Sequence, residues 1–370
     1  MQLTHYGDGS VKIEAKVELA SRSTLGVGGS ASHFAQVTSE AELTEALNWA
    51  DAQKLDVRVL GGGSNIVVAD AGFAGLVIEM ALRGVRECAD GTAVEVTAAA
   101  GEPWDGFVAA MISRGYQGLE CLSGIPGRVG ATPIQNVGAY GQEVSETITR
   151  VTAFDRASGE RVNLRGAECR FSYRDSLFKS IEPDRFVVTE VCFRLHPNGA
   201  PALRYAELER WFDARPETPR TLAQVRETVI ALRRAKSMVL DANDPNSRSC
   251  GSFFTNPILS RDAFDEFSAR ATGEGHVPNF PQADGRVKLS AGWLIERAGF
   301  ARGTRAGSVG LSTQHALALI AHAGARAEDV LRFAQTVRRG VHSRFGVRLE
   351  SEPVFWGFGA KSTLPDDDKP

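Results

Sequence analysis

The sequence predicts an α+β protein of more than one domain, on three observations. First, short apolar strand candidates enclose a glycine turn at residues 57–68. Second, helical periodicity behind capping signals begins at Ser39 and again at Thr221. Third, 370 residues exceed one ordinary core, and the Pro-rich stretch Arg215-Pro216-Glu217-Thr218-Pro219 reads as a linker.

The elements follow in order. Residues 24–29 form a turn-rich opening. Ser39 with Glu42 makes a capping box for a helix running to Gln53, with Leu43, Leu47 and Ala50 on one face. Val57 to Leu60, Ile66 to Val68 and Leu76 to Ile78 read as strands, then Ala93 to Ala99 as a strand and Trp104 to Arg114 as a helix. Thr147 to Phe154 and Glu160 to Leu164 flank a D-R-A-S-G turn and predict a hairpin. Phe186 to Leu195 alternates, with Val187, Val191, Phe193 and Leu195 on one face. Thr221 with Gln224 caps the next helix, whose apolar face is Leu222, Val225, Val229 and Leu232. Arg233, Arg234 and Lys236 at its end suit the helix dipole. Residues 241–249, rich in Asn, Asp, Pro and Ser, resemble a second linker. Two further helices are expected, one including Ala316 to Ala321 and one over Ala327 to Val341, with Val330, Phe333, Val337 and Val341 inward. A strand from Gly346 to Phe355 closes the chain, and an acidic tail ends it at Asp366 to Pro370.

Composition narrows the function. A net charge of −3 lacks the basic excess of a nucleic-acid binder. Cys88, Cys121, Cys169, Cys192 and Cys250 are odd in number and widely spaced, which predicts free thiols rather than disulfides or zinc. The histidines show no ligand spacing, so no metal is expected. The polar N-terminus, including His5, has no signal-peptide core, and no apolar run reaches 18 residues. A cytoplasmic monomer acting on a small molecule is the expectation.

Two glycine-rich segments stand out. One is V-L-G-G-G-S-N-I-V-V, residues 59–68. The other is S-G-I-P-G-R-V-G-A-T-P-I-Q-N-V-G-A-Y-G, residues 123–141. Glycines let backbone N–H groups approach a ligand and form anion nests suited to a pyrophosphate. Ser64, Ser123, Gln135 and Asn136 add side-chain donors. Neither segment has Rossmann or Walker A spacing. Alone, each could be a structural turn.

Together they resemble the FAD-binding domain of the UDP-N-acetylenolpyruvoylglucosamine reductase family, flavoproteins related to vanillyl-alcohol oxidase. The resemblance runs from about Leu25 to Gly357 and is closest to actinobacterial members. It implies a two-part FAD-binding domain, residues 1–82 and 83–220, then a smaller α+β substrate-binding domain, residues 221–360, and a tail, 361–370. It implies non-covalent FAD at Gly61, Gly62, Gly63, Ser64, Asn65, Ser123, Gly124, Ile125, Pro126, Gly127, Gly130, Ala131, Gln135, Asn136, Gly138, Tyr140 and Gly141. It also implies NADPH as reductant of the flavin, and a UDP-sugar enolpyruvyl ether as substrate.

Three further segments carry the resemblance. F-S-Y-R-D-S-L-F-K supplies Arg174, implied to touch the substrate carboxylate. G-S-F-F-T-N-P supplies Ser252, the implied proton donor. L-E-S-E-P-V supplies Glu352, the implied catalytic glutamate. Hydride addition to the enolpyruvyl C3 builds negative charge at C2 and on the carboxylate. A bidentate arginine suits that charge. Glu352 either is protonated and donates to the enolate or holds Arg174 in place. Glu350 shares a face with Glu352 in a regular strand, so periodicity does not choose between them. The resemblance implies contacts to the uridine diphosphate from Tyr205, Lys236 and Asn256, with Lys288 and Arg233 as further candidates. Tyr205 in L-R-Y-A-E-L places the chain in the class with a tyrosine loop.

The insert between Lys236 and Ser252, and Thr132 in place of a common alanine, depart from the family pattern. Another FAD oxidoreductase of the same superfamily, acting on a different sugar or alcohol, is the competing expectation. A nucleotide-binding regulator without catalysis is a third.

Overall fold

The computed structural model describes residues 11–359 and Leu364. His5 and the acidic tail fall outside the described residues. The chain divides into two compact units. The first contains Ser32–Gly62 and Gly75–Val239; the second contains Val17–Ala31, Gly63–Ala74 and the chain from Leu240 onward. The expected boundary lay at residue 221, whereas residues 221–239 pack with the first unit.

The first unit is built on two sheets. The strand order in one is Glu14–Glu18, Ser30–Val37, Phe73–Met80, Val57–Leu60. Helix α1, Glu40–Ala52, follows the second of these strands. Ser39 caps it by accepting from the Glu42 amide, while the Glu42 carboxylate reaches back to Thr38. The larger sheet runs Glu160–Arg165, Ile148–Asp155, Phe186–Pro197, Ala93–Ala99, Val85–Asp90. The predicted hairpin is present, Val151 facing Leu164 and Asp155 facing Glu160. Val187, Val191, Phe193 and Leu195 are all buried, as alternation requires.

Helices α2, Trp104–Ser113, α3, Ala206–Asp213, and α4, Leu222–Ala235, complete this unit. Leu208 and Phe212 of α3 meet Val225 and Val229 of α4 in a small core that includes Cys121. The Thr221 hydroxyl caps α4 by accepting from the Gln224 amide.

Among its described residues the second unit has three α-helices, α5, Arg261–Arg270, α6, Ala291–Arg297, and α7, Ala327–Phe345. Val330, Phe333, Val337 and Val341 of α7 face a core with Phe253, Phe254 and Phe355. Two expectations are corrected here. The helix over Ala316 to Ala321 is instead a turn followed by a strand, Leu319–Ala321, paired to Val309–Leu311. The continuous apolar run Ala316 to Ala321 fits either period, and ladder partners decide it. The closing strand is also shorter, Val354–Trp356, paired in parallel to Ile66–Val68. Residues 347–353 form no strand, and Ser351 makes a single bridge to Phe254. Two helices, α5 and α6, were not expected; α5 buries only Phe267, too little apolar face to show periodicity.

All five cysteines are free thiols, Cys88 exposed and the others buried. Among the described residues no helix is long and apolar enough to cross a membrane.

Candidate functional site

In the first unit the two glycine-rich segments meet backbone to backbone. A Cβ on Gly62 would lie 2.7 Å from the Gly127 Cα. Gly61 faces the Cβ atoms of Arg128 and Ala131 at ordinary distances. The second segment is moulded onto the chain that leads into α2. Gly130 donates to Ala100 O and Val129 to Glu102 O, both at 2.9 Å. The Trp104 amide donates to Gly127 O, and its indole N–H donates to Leu122 O at 3.1 Å. A Cβ on Gly130 would stand 2.4 Å from the Ala100 Cβ, so that position admits only glycine without rearrangement.

These contacts leave a turn that fits a diphosphate. The amides of Ile125 and Gly127 donate to no other described backbone group. Other parts are spent internally. Ser123 is fully buried and its hydroxyl donates to Glu120 O at 2.7 Å. The Gly124 amide donates to Asp105 Oδ1 at 2.6 Å. Further along the same segment, Ala131 ends a short 3-10 turn, Gly138 lies in a two-residue strand and Gln135 is buried.

Asn136 is a brace rather than a free donor. It has a φ of 44°, a left-handed conformation that asparagine tolerates. Its Nδ2 donates to Glu143 Oε2 at 2.8 Å and to Ser172 O at 2.9 Å, and its Oδ1 accepts from Ser145 N. At about 1 kcal/mol net per bond, this one side chain secures the passage from the glycine turn to the loop of Arg174.

Arg174 is itself left-handed, φ 55°. Its Nη2 donates to Gly138 O at 2.5 Å and its Nη1 to Asn136 O at 3.4 Å. Lys179 Nζ donates to the Arg174 carbonyl at 2.8 Å. Carbonyls of the glycine segment thus help to fix the plane of the guanidinium.

The tyrosine loop lies in the same unit. Tyr205, 43% exposed, meets Tyr140 edge to face with ring centroids 5.4 Å apart. Lys236 Nζ sits 5.5 Å from the Tyr140 ring centre and 2.6 Å from Glu207 Oε2. Burial pushes the Tyr140 and Tyr205 hydroxyls above the ordinary phenol range. Arg233 is buried; its Nη2 donates to Met238 O at 2.7 Å, and its Nε has no hydrogen-bond partner. Desolvation lowers its pKa, yet a guanidinium stays protonated, so a cation is held in a dry site beside Gly124.

In the second unit, the segments bearing Ser252 and Glu352 run side by side. Glu352 N donates to Phe253 O at 2.9 Å, and Thr255 N to Glu350 O at 3.0 Å. Buried Phe253 and Phe254 anchor the serine segment, and Gly251 turns it with a φ of 78°. Asn65, from the first glycine segment, joins this assembly. Its Nδ2 donates to Glu352 O at 3.3 Å, and its carbonyl accepts from Val354 N at 3.0 Å. Gly63 precedes it with a φ of 63°, where a Cβ would strike the Arg22 carbonyl at 2.0 Å; Ser64 lies between them.

The two glutamates are not equivalent. Glu350 is exposed and pairs with Arg348 at 3.2 Å. Glu352 is half-buried, and its charge helps raise the buried Cys250 thiol to about 12, after desolvation. Asn256 spends its Oδ1 on Ala291 N at the start of α6. Lys288 lies on the strand Val287–Leu289, its Nζ 5.9 Å from the Phe280 ring centre.

Comparison with known proteins bears on this arrangement. Residues 244–356 match the family model described as UDP-N-acetylenolpyruvoylglucosamine reductase, C-terminal domain, and residues 31–165 match the FAD binding domain model. A UDP-N-acetylenolpyruvoylglucosamine reductase of Thermobifida fusca is 50% identical, covering 92% of this chain and 97% of its own. The chain belongs to the UDP-N-acetylenolpyruvoylglucosamine reductase family. A second relative of the same name, from Salinispora arenicola, is 47% identical over 92% of this chain and 95% of its own. The crystal structure of this reductase from Thermus caldophilus superposes with a TM-score of 0.63 at 26% identity, covering 94% of this chain and 99% of that one.

Sequence reasoning missed the supports of this reductase site. Asp105, Glu120 and Glu143 fall in no motif, and their partners lie elsewhere in the chain. Only their hydrogen bonds in three dimensions mark them, and of the three only Glu120 is fully buried.

Proposed function

We propose that this chain reduces the enolpyruvyl ether of UDP-N-acetylglucosamine enolpyruvate to UDP-N-acetylmuramate, using FAD and taking electrons from NADPH. The family membership and the match of residues 31–165 to an FAD binding domain support the cofactor and the reaction class. The roles of the individual residues are our assignment. The observation that carries it is the pairing of the segments bearing Ser252 and Glu352 through Glu352 N and Phe253 O.

When bound, FAD would supply the hydride chemistry that links NADPH to the enolpyruvyl methylene carbon, C3. The chain's own groups bind the substrate and move the proton. Arg174 takes the substrate carboxylate through a planar fork and stabilises the charge that develops on it. The carbonyls of Gly138 and Asn136 hold that fork in place. Ser252 Oγ gives its proton to C2, completing the lactyl ether. A hydroxyl is a weak acid, so it needs resupply. Glu352, carried on the neighbouring segment, returns a proton to Ser252 and recovers one from water. The net change is one hydride from NADPH and one proton from solvent.

The diphosphate falls to Arg233, Lys236 and Tyr205, with Asn256 and Lys288 toward the remainder of the nucleotide. The buried Arg233 favours an anionic group, and Lys236 exchanges Glu207 for it. The glycine turns at Gly61–Asn65 and Ser123–Gly141 hold the cofactor. We place the reaction in the cytoplasm, where nucleotide sugars and NADPH occur, and assign the active form as a monomer.

Stopped-flow kinetics test the proton assignment. Ser252→Ala should leave flavin reduction by NADPH within a few-fold of wild type and slow reoxidation by substrate by about 10²-fold or more. Equal rates in both half-reactions for variant and wild type would remove Ser252 from the mechanism.

A further inference from the structure

The Gly124 amide of the second glycine turn is not left to a ligand. It is held by the carboxylate of Asp105, in the first turn of α2, at 2.6 Å. The same carboxylate is gripped by Arg226 of α4, with Nη1 to Oδ1 at 2.6 Å and Nη2 to Oδ2 at 2.8 Å. Asp105 and Arg226 are 121 residues apart in sequence. The Arg226 side chain is 18% exposed and that of Asp105 40%. Arg226 and the Gly124 amide lower the Asp105 pKa against the opposing effect of its partial burial.

An exposed ion pair contributes little, because water screens it and two side chains lose freedom. This one differs in three ways. It is bidentate, its arginine is largely enclosed, and one carboxylate oxygen also fixes a backbone N–H. The hydrogen bonds therefore tie three elements together: α2, the glycine turn and α4.

The consequence lies along α4. Arg233 is seven residues beyond Arg226, about two turns or 10 Å along the axis. Lys236 follows just past the helix end. Between the two ends, α4 rests on the turn itself. A Cβ on Gly124 would meet Ile230 and Val239 at 3.4 Å and the Arg233 Cδ at 3.5 Å. A helix lying against glycine has no side-chain ridge at that point to stop it sliding. The Asp105–Arg226 fork supplies the missing stop.

We infer that Asp105 and Arg226 are positioning residues, which set the axial register of α4 so that Arg233 and Lys236 stand at a fixed distance from the glycine turn. The pair touches neither substrate nor cofactor. It acts on both through Gly124 on one side and the end of α4 on the other. The inference rests on the reading above that Lys236 and Arg233 bind the diphosphate and that the turn binds FAD.

Three single variants of the full-length holoenzyme, and the double variant Asp105→Asn with Arg226→Lys, test it. Asp105→Asn keeps an acceptor for Gly124 N–H but removes the charge. Arg226→Lys keeps the charge but loses the fork. Lys236→Gln removes the proposed phosphate contact itself. For Asp105→Asn the KM for UDP-N-acetylglucosamine enolpyruvate should rise about tenfold, as should the Kd for FAD, read by flavin fluorescence. The limiting rate of flavin reoxidation should stay within about twofold, because the reacting groups are untouched. Arg226→Lys should give a smaller rise in the same two quantities. The double variant should be little worse than Asp105→Asn, since the two residues act as one unit.

A fall in melting temperature with KM and FAD affinity unchanged, while Lys236→Gln raises KM, would overturn the inference and leave the diphosphate reading standing. An unchanged KM in Lys236→Gln would instead overturn that reading. If Asp105→Asn yields no folded protein, Arg226→Lys carries the same two readouts, and wild-type values in it would overturn the inference.

Discussion

Replacing Gly62 by alanine tests whether the two glycine turns truly close on each other. Gly62 has no positive φ, so alanine suffers no backbone penalty there. The damage would be purely steric. Its Cβ would stand 2.7 Å from the Gly127 Cα, with the Gly127 carbonyl carbon at 3.2 Å and nitrogen at 3.3 Å. Carbon–carbon contacts favour about 3.5–4.0 Å, so one turn must retreat by nearly 1 Å. Both partners are backbone, and no side chain can swing aside. Overpacking of that kind costs about 1–3 kcal/mol. For a unit of this size the apoprotein should melt about 3–10 °C lower. Gly61→Ala is the matched control, since its Cβ meets Arg128 and Ala131 side chains at 3.6–3.7 Å, ordinary contact. Its apoprotein should stay within about 0.5 kcal/mol of wild type. Calorimetry of the apoproteins, followed by FAD titration, separates the two. A Gly62→Ala apoprotein as stable as wild type, or a Gly61→Ala apoprotein equally damaged, would refute the close approach.

Two further outcomes are expected. Glu352→Gln should slow flavin reoxidation by at least about tenfold, whereas Glu350→Gln, which loses only an exposed pair with Arg348, should change it less than twofold in the same stopped-flow assay; the reverse order would exchange their roles. Asp155 is held down to about 2 by its paired hydrogen bonds from Arg185, at 3.0 and 2.8 Å. A depressed folded pKa stabilises the protein above the unfolded value near 3.9, and that contribution fades as pH falls toward 2. Urea midpoints measured from pH 5 to pH 2 should therefore fall less steeply for Asp155→Asn than for wild type.

Much of the fold was legible because it is local. Ser39 and Thr221 start helices through hydrogen bonds to residues three positions on, and both bonds are present. The D-R-A-S-G turn joins strands that pair with each other, so the hairpin needed no distant information. Leu319 to Ala321 failed for the opposite reason. They end a continuous apolar run, Ala316 to Ala321, that fits either period, and only pairing with Val309–Leu311 makes them a strand. Residues 221–239 were assigned beyond a linker because their composition changes there. They pack with the first unit through Val225, Val229 and Cys121, a contact no composition records.

The glycine segments were legible in the sequence because close approach of backbone demands glycine at fixed spacing, whereas Arg174, Ser252 and Glu352 were expected from the family resemblance. What holds those residues was decided in three dimensions. Alternation could not separate Glu350 from Glu352; the tie of Asn65 to the Glu352 carbonyl, 287 residues away, and the exposure of Glu350 do. Nor could any spacing show that the amide of Gly124 is fixed by Asp105, or that Asp105 answers to Arg226. A hydrogen bond depends on distance and angle between groups, and the chain order of those groups leaves both undetermined until the chain has folded.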